Sequence, residues 1–280
     1  MSEEVWGRFS APTRAWFGAS FAEPTAAQRG AWEAISDGDH TLVVAPTGSG
    51  KTLSAFLWAI DRIWATPRAD DQPRCRVLYV SPLKALAVDV ERNLRSPLVG
   101  IRHAATRLGQ SLPDVSVAIR SGDTPAAERR TFAKQGAEVL ITTPESLFLL
   151  LTSAARSALS GIETVIVDEV HAVAGTKRGA HLALSLDRLD ALLERPAQRI
   201  GLSATVRPVE EVARYLTGGR PVTTVQPPSA KRWDLQVTVP VPDMTDPGRP
   251  HDSNPAGPGT GLGGWSCYAP RHKGGYNQNR

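Results

Sequence analysis

The sequence predicts an α/β fold, a mostly parallel, doubly wound sheet followed by a disordered Gly/Pro-rich tail. Three observations carry this. Short apolar runs alternate with stretches of helical spacing, the pattern of a parallel sheet covered on both faces. A glycine-rich turn, Ala45-Pro46-Thr47-Gly48-Ser49-Gly50-Lys51-Thr52, sits between the first such run and the first long helix. The other polar segments each follow an apolar run, at the carboxyl end of a strand, where such sheets bind ligands.

The elements follow in order. Trp6, Phe9, Trp16 and Phe17 are spaced like one or two small apolar helices over residues 1–20. Thr25 is an N-cap for a helix carrying Ala31, Trp32 and Ile35. Leu42–Val44 is a buried strand, and Leu53, Phe56, Leu57, Ile60, Ile63 and Trp64 form the stripe of the helix after the glycine-rich turn. Val77–Val80, Val115–Ile119, Val139–Thr142, Val165–Val167 and Ile200–Leu202 are further strands. Helices are expected from Leu83 to Leu94, after Pro125, over Ser146–Leu151, from Leu182 to Leu193 and after Pro208, with Val173–Gly179 a loop. Val222–Val225 and Leu235–Val239 read as late strands. The domain reading is a helical lead-in over 1–20, a main domain over 21–226, a linker over 227–246 and the tail over 247–280.

Composition narrows the classes. The chain has 280 residues, 41% of them apolar, which suits a globular core. It holds no apolar run of membrane-spanning length. Glu3, Glu4 and Arg8 near the start leave no signal-peptide core, so a cytoplasmic protein without membrane contact is expected. Cys75 and Cys267 form neither a disulfide framework nor a metal cluster. The net charge of +4 is no argument for nucleic acid, because residues 247–280 hold four basic residues against one acid, Asp252.

The chemistry starts at the glycine-rich turn. Strand, glycine-rich turn, Lys-Thr and helix is the arrangement that wraps a polyphosphate. Gly48 and Gly50 let the backbone aim its N–H groups, with those of Thr47 and Ser49, at phosphate oxygens. The helix N-terminus adds its positive end, Lys51 reaches the β/γ-phosphates, and the Thr52 hydroxyl can ligate Mg²⁺. Ala45 stands where the strict pattern has glycine. NTP hydrolysis also needs an acid to complete the metal site and another to orient the attacking water. Asp168 and Glu169, at the end of the fifth strand, are placed for these roles. In isolation, such a pair reads as an acidic helix N-terminus. Gln28 alone is a solvated helix residue; beside a phosphate loop, its amide can read an adenine edge. His171 is either a packed or capping histidine or a link from the γ-phosphate site to Ser203 and Thr205. Pro82, Lys84, Arg120, Gly122, Thr143, Pro144 and Glu145 read singly as ordinary surface loops. Together they offer groups that hold a nucleic-acid backbone without reading sequence.

These segments resemble the first RecA-like motor domain of superfamily 2 helicases. Gln28 matches the glutamine motif, Ala45–Thr52 motif I, Ser81–Leu86 motif Ia, Thr143-Pro144-Glu145 motif Ib, Asp168-Glu169-Val170-His171 motif II in its DExH form, and Ser203-Ala204-Thr205 motif III. The match spans about Phe21–Val239. Arg178-Gly179, Trp16-Phe17 and Trp32 resemble the large helicase-related (Lhr) family more than DEAD-box RNA helicases. The resemblance implies ATP and Mg²⁺ as cofactors and 3′→5′ translocation on single-stranded DNA, with RNA or RNA:DNA hybrids as further partners.

The family also needs a second RecA-like domain with an arginine-bearing motif VI, and no such pattern follows Thr205. Pro240-Val241-Pro242-Asp243-Met244 looks like a linker toward it. A truncated or frame-shifted chain is therefore expected, one that binds ATP–Mg²⁺ weakly, hydrolyses it poorly and does not unwind. The alternatives are an RNA helicase or remodeller, or a fragment that binds nucleotide and nucleic acid without turnover. A metabolic P-loop kinase has no use for Thr-Pro-Glu or Ser-Ala-Thr at strand ends.

Overall fold

The computed structural model describes residues 3–66, 68–69 and 72–228, apart from the side chains of 3–4 and 84–87. Seven strands, β1 (Thr41–Val44), β2 (Val77–Val80), β3 (Val117–Arg120), β4 (Val139–Thr142), β5 (Thr164–Val167), β6 (Gln198–Ser203) and β7 (Thr223–Val225), form one sheet. Their order is β3-β4-β2-β5-β6-β1-β7, and every pair is parallel. The expected late strand at Leu235–Val239, the linker's remainder and the tail lie outside the described residues.

Alternation along each strand builds two apolar layers. Val43, Tyr79, Ile141 and Ile166 point into one, and Leu42, Leu78, Leu140 and Val165 into the other. The first layer is closed by α1 (Glu3–Gly7), α2 (Ala11–Ser20), α3 (Ala26–Ser36), α4 (Lys51–Ala65) and α5 (Lys84–Arg107). Its aromatic centre includes Phe9 and Phe17, whose rings meet Trp32 edge-on at 5.2 and 5.5 Å. Trp32 Nε1 donates to Ser54 O at 2.9 Å, and Asp61 of α4 accepts from Ser10 Oγ at 2.6 Å. These bonds fasten α3 and the cap of α2 to the helix that follows the glycine-rich turn. The second layer is closed by α6 (Ala126–Gln135), α7 (Pro144–Leu151), α8 (Val170–Val173), α9 (Lys177–Asp190) and α10 (Val209–Thr217).

Several boundaries differ from the sequence expectation. Helix α5 runs through Pro97, where a proline is expected to end or kink a helix. Thr143 caps α7 with its hydroxyl, so Pro144 and Glu145 are the first helical turn rather than loop. Val173–Gly179 is not one loop. Thr176 accepts from Gly179 N at 3.0 Å and starts α9 at Lys177. A 3₁₀ turn, Ala154–Leu159, was not expected at all.

Candidate nucleotide and nucleic-acid site

Because the sheet is wholly parallel, all its carboxyl ends share one edge, and the motifs gather there. Backbone ladders continue one residue beyond the strands. Ala45 N donates to Ser203 O at 3.1 Å, Asp168 N to Val80 O at 2.9 Å and Ser81 N to Thr142 O at 2.9 Å. The strand order divides the edge. The β5-β6-β1 ends carry Asp168, Ser203 and the glycine-rich turn, while the β3-β4-β2 ends carry Arg120, Thr143 and Pro82.

The turn after β1 has the geometry of an anion cradle. Gly48 and Gly50 have φ of 80° and 81°, a left-handed conformation that side chains resist. At position 50 a Cβ would also lie 2.5 Å from Gln28 Nε2 and push that amide aside. Gly50 gives α4 no side-chain cap, so the first-turn N–H groups have no competing side-chain acceptor. Ser49 Oγ is buried and without a hydrogen-bond partner. Thr47 and Gly48 are exposed, and Thr52 is half-buried in the first helical turn.

Lys51 is 7% exposed and donates to the carbonyls of Ala45 at 2.6 Å and Pro46 at 2.9 Å. Burial lowers its pKa, and the carboxylates of Glu169 and Asp168 oppose that shift. The lysine and the acidic pair therefore share one electrostatic neighbourhood across a single intervening strand, β6.

Gln28 is tied to both neighbours. Its Oε1 accepts from Thr25 N at 2.9 Å, completing a capping box, and its Nε2 donates to Gly50 O at 3.4 Å. Thr25 Oγ1 donates to Ser49 O at 2.7 Å. The start of α3 thus holds the cradle from behind.

At the end of β5, Asp168 Oδ1 accepts from Glu169 N at 2.9 Å, and Oδ2 accepts from the Tyr79 hydroxyl. Each oxygen keeps lone-pair capacity for a further donor. Glu169 has φ 45° and ψ 45°, a conformation that costs an ordinary residue roughly 1–2 kcal/mol. Among the described residues it is the one non-glycine with positive φ. Such strain is found where a side chain must be aimed.

His171 Nδ1 lies 3.3 Å from Glu169 Oε2, from Ser203 Oγ and from Ala204 N. Nδ1 can accept from the Ala204 amide or donate to the Glu169 carboxylate, according to which ring nitrogen carries the proton. On the β6 side, the groups that meet His171 are Ser203 Oγ and the Ala204 amide. Thr205 is exposed and stands apart from it.

The other half of the edge is less uniform. Arg120 is half-buried and its Nη1 donates to Ser121 O at 2.8 Å. Burial, then the nearby Arg129 guanidinium, lowers its pKa. Arg129, on α6, donates to Gly122 O at 2.6 Å and Thr124 O at 2.7 Å and so shapes this loop. Pro82 is buried, and the side chain of Lys84, the first residue of α5, lies outside the described set. Thr143 spends its hydroxyl on the cap, and Glu145 pairs with Arg178.

Sequence reasoning missed Tyr79 and the roles of Arg129 and Arg178. Tyr79 lies in an apolar strand run that reads as plain core. The usable signal is register: Tyr79 pairs with Ile166, so its side chain shares a face with Asp168, two residues further on.

A wholly parallel sheet with a lysine-bearing cradle and an Asp-Glu-x-His segment across one strand defines a RecA-like helicase motor domain. The DEAD/DEAH box helicase profile matches residues 25–212, and the chain belongs to that family. Within it, the chain is an Lhr-type helicase domain. It is 67% identical over 240 residues to the Lhr helicase/probable uracil glycosylase of Mycolicibacterium smegmatis, covering 86% of this chain and 16% of that protein. It is 54% identical over 243 residues to the Lhr helicase/uracil glycosylase of Escherichia coli, covering 85% of this chain and 16% of that protein. The solved structure of Mycobacterium smegmatis helicase Lhr bound to ssDNA and AMP-PNP matches at a TM-score of 0.79 and 66% identity, over 86% of this chain and 31% of that one. The chain thus spans about a sixth of the length of these curated relatives.

Among the described residues, no helix is long and apolar enough to cross a membrane.

Proposed function

We propose that this chain is the ATP-binding motor domain of a 3′→5′ DNA helicase working in the cytoplasm. The observation that carries the reading is Lys51, buried in its own cradle and held in the field of Asp168 and Glu169. The solved Lhr complex with ssDNA and AMP-PNP supports it.

In this reading, the N–H groups from Thr47 to Thr52 and the Lys51 ammonium hold the triphosphate. Phosphate oxygens replace the Ala45 and Pro46 carbonyls as acceptors for Lys51, and Ser49 Oγ gains the partner it lacks. Gln28 meets the adenine edge with its second N–H and second lone pair.

The donor set fits Mg²⁺. A Thr52 hydroxyl and one carboxylate, Asp168, are what this ion takes beside phosphate oxygens and water. When bound, it neutralises charge on the β- and γ-phosphates. Glu169 orients and deprotonates the attacking water. His171 passes the state of that site to β6 through Ser203 and the Ala204 amide.

Pro82, Lys84, Arg120, Gly122 and the Thr143–Glu145 turn hold single-stranded DNA by its backbone. A second RecA-like domain supplies the arginine that completes hydrolysis.

Equilibrium binding to the 280-residue chain tests the reading. A fluorescent ATP analogue with Mg²⁺ should bind, and Lys51→Ala should weaken it by at least about ten-fold. A labelled oligothymidylate should bind in competition with unlabelled DNA more strongly than with oligouridylate. Equal nucleotide affinity in Lys51→Ala overturns the nucleotide site. Preference for the RNA oligomer moves the assignment to an RNA helicase.

A further inference from the structure

Arg178 lies in the first turn of α9, and its guanidinium reaches two other strand ends at once. Nε and Nη2 meet the two carboxylate oxygens of Glu145, the Nη2–Oε2 distance being 2.9 Å. Nη1 donates to the carbonyl of Pro82 at 2.5 Å. A planar fork on a carboxylate fixes direction as well as distance.

The backbone that carries it is equally fixed. A Cβ on Gly179 would lie 1.9 Å from Val173 O, so only glycine lets α9 start this close to α8. The Tyr215 hydroxyl donates to Gly179 O at 2.9 Å, and Thr176 caps the turn. The stretch from Asp168 to Arg178 thus touches β6 through His171 and the β2 and β4 ends through Arg178.

We infer that Arg178 is a positioning residue for nucleic-acid binding: its fork holds the Pro82 and Glu145 turns in the arrangement that accepts a strand backbone. This rests on the reading of those turns given above. It also explains an acid on a face meant for phosphates. Glu145 is there to receive the fork, and its charge is cancelled by it.

The test uses the opposite signs of electrostatics and positioning. Glu145→Gln raises the net charge by one, so electrostatics alone predicts tighter DNA binding. Positioning predicts the reverse. Labelled oligothymidylate should bind Glu145→Gln about five-fold more weakly than the unaltered chain. Arg178→Lys keeps the charge but loses the fork, and should weaken binding by a similar factor. Affinity for the Mg²⁺–ATP analogue should stay within about two-fold in both, since neither side chain faces the cradle.

Binding of Glu145→Gln as tight as the unaltered chain, or tighter, overturns the inference. A parallel loss of nucleotide and DNA affinity with a lowered Tm overturns it too, by reducing Arg178 to a fold support. If the unaltered chain binds nucleotide but no oligothymidylate, the nucleic-acid reading falls and this inference with it.

Discussion

The hydroxyl of Tyr79 donates to Oδ2 of Asp168 from the neighbouring strand, in a site where Tyr79 is fully buried and Asp168 is 7% exposed. Burial, then the Asp168 charge, pushes the phenol far above its ordinary pKa, so it remains a donor at every working pH. Phe56 stacks on the ring at 5.0 Å and holds it from the helix behind the cradle. One oxygen of the proposed metal-shell carboxylate is thereby aimed by the core.

Tyr79→Phe should therefore act on metal use more than on the fold. A hydrogen bond to a charged group is worth about 1.5–3 kcal/mol, and only part of it appears as lost stability because water can reach Asp168. The expected outcome is a Tm lowered by several degrees and a raised Mg²⁺ concentration for half-maximal nucleotide binding. Calorimetry and a Mg²⁺ titration of analogue fluorescence check both.

Gly50→Ala meets two obstacles at once, a φ of 81° and a Cβ 2.5 Å from Gln28 Nε2. The backbone conformation alone costs roughly 1–2 kcal/mol. Nucleotide binding should be lost, with Tm lowered by several degrees. Gly48→Ala, whose Cβ meets nothing within 4 Å, should cost less.

Glu145 predicts an acid-dependent stability term. Its hydrogen bond to Arg178 holds the carboxyl at about 2 against an ordinary 4.5. A carboxyl that binds its proton less readily when folded stabilises the fold in full above pH 4.5, and the term is lost as pH falls toward about 2. The carboxylate is 55% exposed, so solvent screening keeps the term below about 1 kcal/mol. Urea midpoints between pH 5 and pH 2.5 should fall less steeply in Glu145→Gln than in the unaltered chain.

Cys75 is fully buried, and burial, then the Glu138 charge, pushes its thiol up to about 12. In a Cys267→Ser chain, iodoacetamide at pH 8 should label Cys75 only as fast as the protein opens. Adding denaturant should make labelling immediate. Mass spectrometry of timed samples reads this directly.

Most of the sheet was legible because strands β1, β2, β4 and β5 are short, mostly apolar runs bounded by polar turns. Gly48-Ser49-Gly50-Lys51-Thr52 was legible because the demands on each position are local. Positive φ, a bare helix start and a lysine need no distant partner to be recognised.

What the sequence hid depends on partners far along the chain. Tyr79 meets Asp168 across 89 positions, and Arg178 meets Pro82 across 96. The start of α9 was hidden for a related reason. Lys177-Arg178-Gly179 has no apolar residue to show a helical stripe, and the cap at Thr176 is what starts the turn. Thr205 was expected beside Ser203 as part of the link to His171. Strand β6 ends at Ser203, so Thr205 lies past the ladder and is exposed, and the amide of Ala204 takes the second contact.

In the proposed function, Lys51 and Asp168 serve one magnesium–triphosphate. A Mg²⁺ titration of ATP-analogue affinity in the unaltered chain, Lys51→Ala and Asp168→Asn tests it most directly. Asp168→Asn should keep the Mg²⁺-free affinity and lose its enhancement by Mg²⁺, while Lys51→Ala should lose both. An Asp168→Asn chain whose affinity rises with Mg²⁺ as in the unaltered protein would contradict it.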